Sequence, residues 1–147
     1  MERHREMRKE KGFVTIEQQT RLEDAVSRIE NPGKSSVLLE CMSNLAANEM
    51  FSREQPVDRE TVIAKILQGI EVLRKQADPL VIVTNNVFED GIAYDSATIE
   101  YIEALGRVNE RLAAEADEVV EVVAGIPQWI KPGSPGAKAQ NWQDSRG

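Results

Sequence analysis

The sequence predicts an α/β fold built on a mainly parallel sheet. Short apolar runs alternate along the chain with longer segments in which apolar residues recur every three or four positions, the pattern of strands alternating with amphipathic helices. This order favours right-handed βαβ units, in which a helix connects neighbouring parallel strands. With 147 residues, the chain has the length of one domain that can bury a core.

The first half of the chain carries one predicted strand. Residues 13–17 form a short β-prone run, and apolar residues recur at helical spacing over 20–29. The Asn-Pro-Gly sequence at 31–33 predicts a turn. Residues 36–40, SVLLE, are predicted to form a buried strand, and the segment 42–51 is predicted to be helical.

A long helix and a second strand are predicted in the middle of the chain. Asp58 can cap the helix, which should run to about Ala77 and be closed by Pro79. Residues 80–84 are predicted to form a second buried strand. One face of the helix is apolar and consists of Val62, Ile63, Ile66, Leu67, Ile70 and Leu73.

A further helix and strand complete the predicted domain. Asp95 or Ser96 caps the helix, and residues 119–124 are predicted to form a third buried strand. We therefore expect one α/β domain over residues 1–130, followed by a disordered tail over 131–147 that is rich in Pro, Gly, Ser and Gln. The apolar stripe of the helix is Ile99, Ile102, Leu105, Val108, Leu112 and Ala116.

The composition argues against several classes of protein. The formal net charge of −7 disfavours general nucleic-acid binding, and the single cysteine excludes an internal disulfide. No apolar run approaches the roughly 18 residues that a membrane span needs. No signal peptide is visible either, so we expect a cytoplasmic protein. Lys and Arg nevertheless outnumber Glu in residues 1–11, which fits a small anionic ligand.

Gly33, Lys34 and Ser35 imitate the end of a phosphate-binding loop. That motif needs a strand, the pattern GxxxxGK[ST], and then a helix whose first turn faces the phosphates. Here the earlier glycine is missing and a predicted strand follows. We therefore interpret these three residues as a turn.

His4 is the only histidine, and it lies among arginines in the sequence RHREMR. In one interpretation it is an incidental residue of a solvated terminal helix. In the other it is a nucleophile or part of an anion site. Imidazole titrates near neutral pH, so a neutral nitrogen is available, and neighbouring arginines can hold phosphate oxygens.

Polar residues follow two predicted strands, at the place where ligands bind in open α/β sheets. Glu40 could organise Mg²⁺ at a nucleotide, or it could be an ordinary strand end or helix cap. Asn85 and Asn86 could line the same pocket or begin an Asx-turn. Asn44 and Asn48, four residues apart on the intervening helix, could contact a ligand or serve packing.

Four segments that include these residues resemble one known family. In order over residues 3–127, they are RHREMR with the later TIE, VLLECMSNLAANEMF, VTNNVFEDGI, and GRVNERLAAEADEVVEVVAGIP. Together they resemble the bifunctional adenosylcobinamide kinase / adenosylcobinamide-phosphate guanylyltransferases of cobalamin biosynthesis. The last segment is the most specific of the four.

The resemblance implies a P-loop-type three-layer fold and a transferase with two activities. A kinase step phosphorylates the aminopropanol hydroxyl of adenosylcobinamide, with ATP or GTP as the phosphate donor. In the second step, a histidine attacks the α-phosphate of GTP and pyrophosphate leaves. The GMP then passes from the histidine to the phosphorylated cobinamide. Mg²⁺ follows from the triphosphate chemistry.

The resemblance also assigns roles to residues of this chain. His4 matches the histidine that carries GMP, and Glu40 matches an acidic residue of the nucleotide site. Glu17 matches a nearby acidic position. The segment that contacts the guanine nucleotide is matched by Arg5, Glu6, Met7 and Arg8.

The chain departs from the family pattern at its start. Family members begin with a strand, a GGxxSGKS-type loop, a helix and a second strand before the histidine, whereas Met1 here lies three residues before His4. We therefore expect an N-terminally truncated member that needs a complementing N-terminal fragment or forms a homo-oligomer. The alternatives are a non-catalytic remnant or partner-dependent subunit of the family, and an unrelated α/β nucleotide-binding module. Asn86 also stands where the family usually has Glu.

Overall fold

A computed structural model of the chain describes residues 15–30, 33–85 and 95–132. The chain divides into two compact units, Met1–Val108 and Asn109–Gly147. The described elements are, in order, a 3₁₀ helix Leu22–Arg28, strand β1 Ser35–Leu39, helices α1 Met42–Phe51 and α2 Arg59–Gln76, strand β2 Ala77–Ile82, helix α3 Ser96–Glu115, and strands β3 Val119–Val123 and β4 Ile126–Lys131.

Strands β1 and β2 form a parallel pair, as the α/β prediction requires. Val37 lies opposite Leu80, and Leu39 lies opposite Ile82. Strand β2 begins at Ala77, so Pro79 lies inside the strand. The prediction that Pro79 closes α2 is therefore wrong. The reason is that the residue before a proline is pushed into extended backbone, which carries the strand upstream of the proline.

The ends of the two long helices agree with the predicted caps. The Asp58 carboxylate accepts hydrogen bonds from the backbone N–H of Thr61 at 3.0 Å and from its hydroxyl at 2.6 Å. Asp95 accepts a hydrogen bond from the backbone N–H of Thr98 at 2.8 Å. Each cap satisfies an N–H group that has no partner within its helix.

The core of the first unit is formed mainly by the apolar faces of the three helices. The predicted face of α2 is buried except at Leu67, which is half-buried. On α3 the buried positions are Ala104, Leu105 and Val108, whereas Ile99 is exposed, contrary to the predicted stripe. The 3₁₀ helix, which replaces the α-helix expected over 20–29, contributes Leu22 and Ala25 to the core.

One face of the β1–β2 pair is apolar and accessible to solvent. Leu38 and Val81 lie opposite each other and are 44% and 51% exposed. Val37 and Leu39, whose side chains point to the other face, are half-buried. The prediction of buried strands over 36–40 and 80–84 is therefore only half right.

In the second unit, β3 and β4 form an antiparallel hairpin. Ala124 and Gly125 connect the strands with positive φ angles of 51° and 77°, the backbone that a tight two-residue hairpin turn requires. The prediction of a third buried parallel strand over 119–124 is thus wrong in its pairing and its burial. A two-residue connection can only return the chain antiparallel, because a parallel pair needs a crossover.

No helix among the described residues is long and apolar enough to cross a membrane. The predicted boundary between a domain over 1–130 and a tail over 131–147 stays a prediction.

Candidate functional site

The carboxyl ends of β1 and β2 are joined to the start of α1 by backbone hydrogen bonds. The Val83 N–H donates to the Leu39 carbonyl at 2.9 Å. The Val83 carbonyl accepts from the Met42 N–H at 2.9 Å. One residue after β2 therefore fixes both the end of β1 and the first turn of α1. We call this region the carboxyl edge.

Four polar side chains meet at the carboxyl edge, and we call Cys41, Ser43, Asn85 and Tyr101 the edge cluster. The Cys41 sulfur and the Ser43 hydroxyl are 2.7 Å apart. The Asn85 side-chain amide donates to the Ser43 hydroxyl at 3.4 Å and approaches the Cys41 sulfur at 3.8 Å. The Tyr101 hydroxyl donates to the Ser43 backbone carbonyl at 3.1 Å.

The local sequence explains how these residues meet. Cys41 is the extended residue that precedes α1, with φ −124° and ψ 139°, and Ser43 lies in the first turn of that helix. Asn85 follows the end of β2. Tyr101 lies one helical turn before Leu105 on the buried face of α3, so its ring points inward. That ring also contacts Phe51, with 6.2 Å between the ring centroids.

The two titratable groups of the edge cluster, the Cys41 thiol and the Tyr101 hydroxyl, have pKa values that are shifted in opposite directions. Burial raises the pKa of the Cys41 thiol. Hydrogen bonds from the Ser43 hydroxyl and from the backbone amides of Asn44 and Ser43 lower that pKa, and together they outweigh burial, so the pKa lies below its ordinary value. Burial, and secondly the negative charge of a Cys41 thiolate, raise the pKa of Tyr101. Tyr101 therefore keeps its proton and acts as a hydrogen-bond donor at neutral pH.

Of the predicted site residues, Glu40 lies at the carboxyl edge, directly after β1, and its side chain is exposed. Asn44 and Asn48 lie on α1, with Asn44 exposed and Asn48 half-buried. His4, Arg5, Glu6, Met7 and Arg8 lie outside the described residues, as does Asn86.

Glu17 lies in a segment that is held to the core at a different place. Its backbone carbonyl accepts a hydrogen bond from the Arg28 guanidinium at 2.7 Å. Further along, the Arg21 backbone N–H donates to the buried carboxylate of Glu49 at 2.7 Å. Lys65 forms an ion pair with the other Glu49 oxygen at 3.6 Å. Glu17 thus contacts the 3₁₀ helix through Arg28, whereas Glu40 directly follows β1.

Comparison with known proteins identifies the family. A family model described as cobinamide kinase / cobinamide phosphate guanyltransferase matches residues 1–130. The chain belongs to this family. The bifunctional adenosylcobalamin biosynthesis protein CobU of Escherichia coli strain K12 is 30% identical over 140 residues, which cover 89% of this chain and 76% of that protein.

A second relative in this family is the protein of the same name from Salmonella typhimurium strain LT2. It is 31% identical over 110 residues, which cover 65% of this chain and 58% of that protein. The matched region thus spans less than two thirds of the Salmonella protein. By name, both relatives belong to adenosylcobalamin biosynthesis, in agreement with the family that the sequence motifs resemble.

The sequence alone did not predict that Cys41, Ser43 and Tyr101 belong to the edge cluster. Two signals could have identified them. Cys41 and Ser43 directly follow Glu40 at the predicted strand–helix junction. Tyr101 stands four residues before Leu105, at the spacing that puts both side chains on the same face of a helix. The buried carboxylate of Glu49 carried no comparable signal.

Proposed function

We propose that this chain takes part in guanylyl transfer from GTP to adenosylcobinamide phosphate, with His4 as the residue that carries GMP. The observation that carries the proposal is the family match over residues 1–130, because that range includes both His4 and Glu40. The carboxyl edge supports it further, since ligands of open α/β sheets bind beyond the carboxyl ends of the strands.

In the proposed step, a neutral imidazole nitrogen of His4 attacks the α-phosphorus of GTP. A P–N bond forms, the bond to the bridging oxygen breaks, and pyrophosphate leaves with the electron pair. A phosphate oxygen of adenosylcobinamide phosphate then attacks the same phosphorus and the imidazole leaves. Arg5 and Arg8 would compensate the phosphate charge, and Glu6, Met7 and Glu17 belong to the same proposed nucleotide site.

Mg²⁺ is the metal that this chemistry implies, and the carboxyl edge is chemically suited to it. Mg²⁺ is commonly held by one or two carboxylates together with substrate phosphates. Glu40 offers such a carboxylate directly after β1, where its side chain is exposed. We therefore propose that Glu40 helps to hold a metal that binds with the nucleotide. When bound, Mg²⁺ would neutralise charge on the triphosphate.

The same family supports a kinase activity, in which ATP or GTP phosphorylates adenosylcobinamide. We propose this as the second activity of the site, in a P-loop-type fold and in the cytoplasm, where these nucleotides are available.

The proposal is tested by incubating the chain with α-³²P-labelled GTP and Mg²⁺, both alone and with an added fragment that carries the strand, GGxxSGKS-type loop and helix of the family. We expect acid-labile, alkali-stable label, as for a phosphoramidate, that is chased by adenosylcobinamide phosphate. His4→Asn should lose the label completely, and Glu40→Gln should reduce it strongly. Glu71→Gln is the matched control, because Glu71 is half-buried on α2 and its described partner is Arg74 at 2.8 Å. Undiminished label in His4→Asn would contradict the proposal.

A second candidate is a subunit of the same family that acts only with a partner. The exposed apolar face at Leu38 and Val81 favours it, because adjoining exposed apolar residues on a sheet face commonly mark an interface. Sedimentation and hydrophobic-dye binding test this candidate. A cooperatively folded monomer that binds no dye would exclude it.

A further inference from the structure

We propose that Tyr101 is a positioning residue whose hydroxyl holds the first turn of α1, and with it Glu40 and Cys41, at the carboxyl edge. The inference rests on the proposed function, because the carboxyl edge is taken as the nucleotide side of the sheet. It adds a residue on α3 that supports the site without touching the reacting atoms.

The path from Tyr101 to the edge consists of three short contacts. The Tyr101 hydroxyl donates to the Ser43 carbonyl at 3.1 Å, and Ser43 is itself buried. The Ser43 hydroxyl then lies 2.7 Å from the Cys41 sulfur and accepts from Asn85 at 3.4 Å. Ser43 is therefore held from α3 through its backbone and from the end of β2 through its side chain.

Helix α3 can support such a contact because Ala104, Leu105 and Val108 are buried in the core. Partly exposed charged pairs also link it to the start of α2, but such pairs add little stability. Arg59 pairs with Glu103 and approaches Glu100 at 3.7 Å, and Arg107 pairs with Glu60 at 2.5 Å. These contacts lie on either side of Tyr101 along the helix. Tyr101 thus links α1 to a helix that is anchored independently of the carboxyl edge.

The hydroxyl and the ring of Tyr101 have separable contacts. The ring contacts Phe51 at a centroid distance of 6.2 Å and would remain in a Tyr101→Phe variant. The hydroxyl is the atom that reaches Ser43. Tyr101→Phe therefore removes the proposed positioning contact and keeps the packing of the aromatic ring.

Hydrogen exchange of the 147-residue chain without nucleotide measures the positioning directly. Two amides report on the first turn: Met42 N–H, bonded to the Val83 carbonyl at 2.9 Å, and Leu45 N–H, bonded to the Cys41 carbonyl at 3.2 Å. In Tyr101→Phe we expect these amides to exchange about three- to tenfold faster, the loss that one hydrogen bond corresponds to. Amides in the middle of α2 should be unaffected.

Arg107→Gln is the control for a merely structural effect, since it removes the ion pair between α3 and Glu60 and leaves the Tyr101 hydroxyl in place. It should not accelerate exchange of the Met42 and Leu45 amides selectively. If Tyr101→Phe is too unstable for the measurement, exchange of that variant and of the wild-type chain is compared in a stabilising osmolyte such as sucrose. Unchanged exchange of the Met42 and Leu45 amides in folded Tyr101→Phe overturns the inference.

A kinetic readout separates this inference from the proposed function. In the α-labelled GTP assay, Tyr101→Phe should lower the labelling rate at saturating GTP about threefold or more and leave the half-saturating GTP concentration nearly unchanged. Selective faster exchange without any labelling of the wild-type chain, even with the complementing N-terminal fragment added, would support the positioning contact and refute the proposed function. Full labelling with unchanged exchange would refute the role of Tyr101 alone.

Discussion

The β1–β2 pair and the β3–β4 hairpin arise from similar sequences and form different structures. Strand β1 reads SSVLL and β3 reads VVEVV, so both are short runs rich in branched apolar residues. The first pairs in parallel with β2 through a connection that contains two helices, and three of its five residues are partly covered. The second pairs antiparallel with its immediate neighbour, and four of its five residues are exposed.

The difference shows that the connection after a strand, and not its apolar content, decides how the strand pairs. After β1 the chain has 37 residues, Glu40 to Gln76, in which to form α1 and α2 before β2 begins. After β3 it has only Ala124 and Gly125. Burial then follows from what packs on each face, and in the hairpin even Ile126 is 59% exposed.

The largest effect is expected when isoleucine is replaced by alanine in both regions and the losses in the free energy of unfolding are compared. Ile66 on α2 is 2% exposed, so Ile66→Ala should lower the free energy of unfolding by about 2–5 kcal/mol. Ile126→Ala in the hairpin should cost less than about 1 kcal/mol, because its side chain loses little buried contact. Urea unfolding followed by circular dichroism measures both values.

Ile126→Thr is a useful companion, because it keeps the β-branching that favours strands while it shortens the side chain and adds a hydroxyl. It should stay within about 0.5 kcal/mol of the wild-type chain. A large loss of stability in both hairpin variants would mean that Ile126 is buried in solution and that the two regions are more alike than described.

Much of the fold follows from local signals in the sequence. The bounds of α1 were predicted as they are found, and α2 begins after the Asp58 cap as expected. Such features depend on nearby residues, namely a cap, an apolar period and a helix-breaking sequence. Strand β4 was missed because Pro127 and Gln128 break the apolar pattern, and its pairing depends on the positive φ of Ala124, which a non-glycine residue seldom adopts.

In the candidate site, only the residues that directly follow a strand could be predicted from the sequence. Glu40 and Asn85 could be placed at one edge because the carboxyl ends of parallel strands meet there. Tyr101 could not, since its contact with Ser43 joins residues that are 58 positions apart in sequence. The anchoring of Arg21 by Glu49 is likewise a tertiary contact with no local sequence pattern.

The two regions also differ in why each needs a glycine. A Cβ at Gly69 on α2 would lie 3.0 Å from the Leu22 Cβ, so Gly69→Ala should push the 3₁₀ helix away and cost about 1–3 kcal/mol. Gly125 in the hairpin has open space but a φ of 77°, so Gly125→Ala should cost about 1–2 kcal/mol through backbone strain. Thermal unfolding of the purified variants compares them.

Substitution by asparagine distinguishes the two causes. Asn adopts positive φ more readily than Ala, so Gly125→Asn should be milder than Gly125→Ala, whereas Gly69→Asn should be worse than Gly69→Ala. Gly106→Ala on α3 is the control, because nothing lies within 4 Å of its Cβ and the helix should gain about 0.5–1 kcal/mol. The opposite order of the asparagine and alanine variants at either site would refute the assigned cause.

The smallest effect is expected at the helix caps of the first unit, which the hairpin lacks. Hydrogen bonds from the side chain and then the backbone of Thr61 lower the pKa of Asp58, and the same two groups of Thr98 lower the pKa of Asp95. Because the pKa of each capping carboxylate is lower in the folded state, its contribution to stability is complete above the unfolded pKa of about 3.9. That contribution is lost as the pH falls through the folded pKa.

Asp58→Asn should therefore have a lower melting temperature than the wild-type chain at pH 6, and the difference should shrink below about pH 4. Asp78→Asn, at an exposed position in β2, is the matched control. A difference between Asp58→Asn and the wild-type chain that stays constant from pH 6 to pH 2.5 would show that the charge of the cap contributes nothing to the stability of the helix.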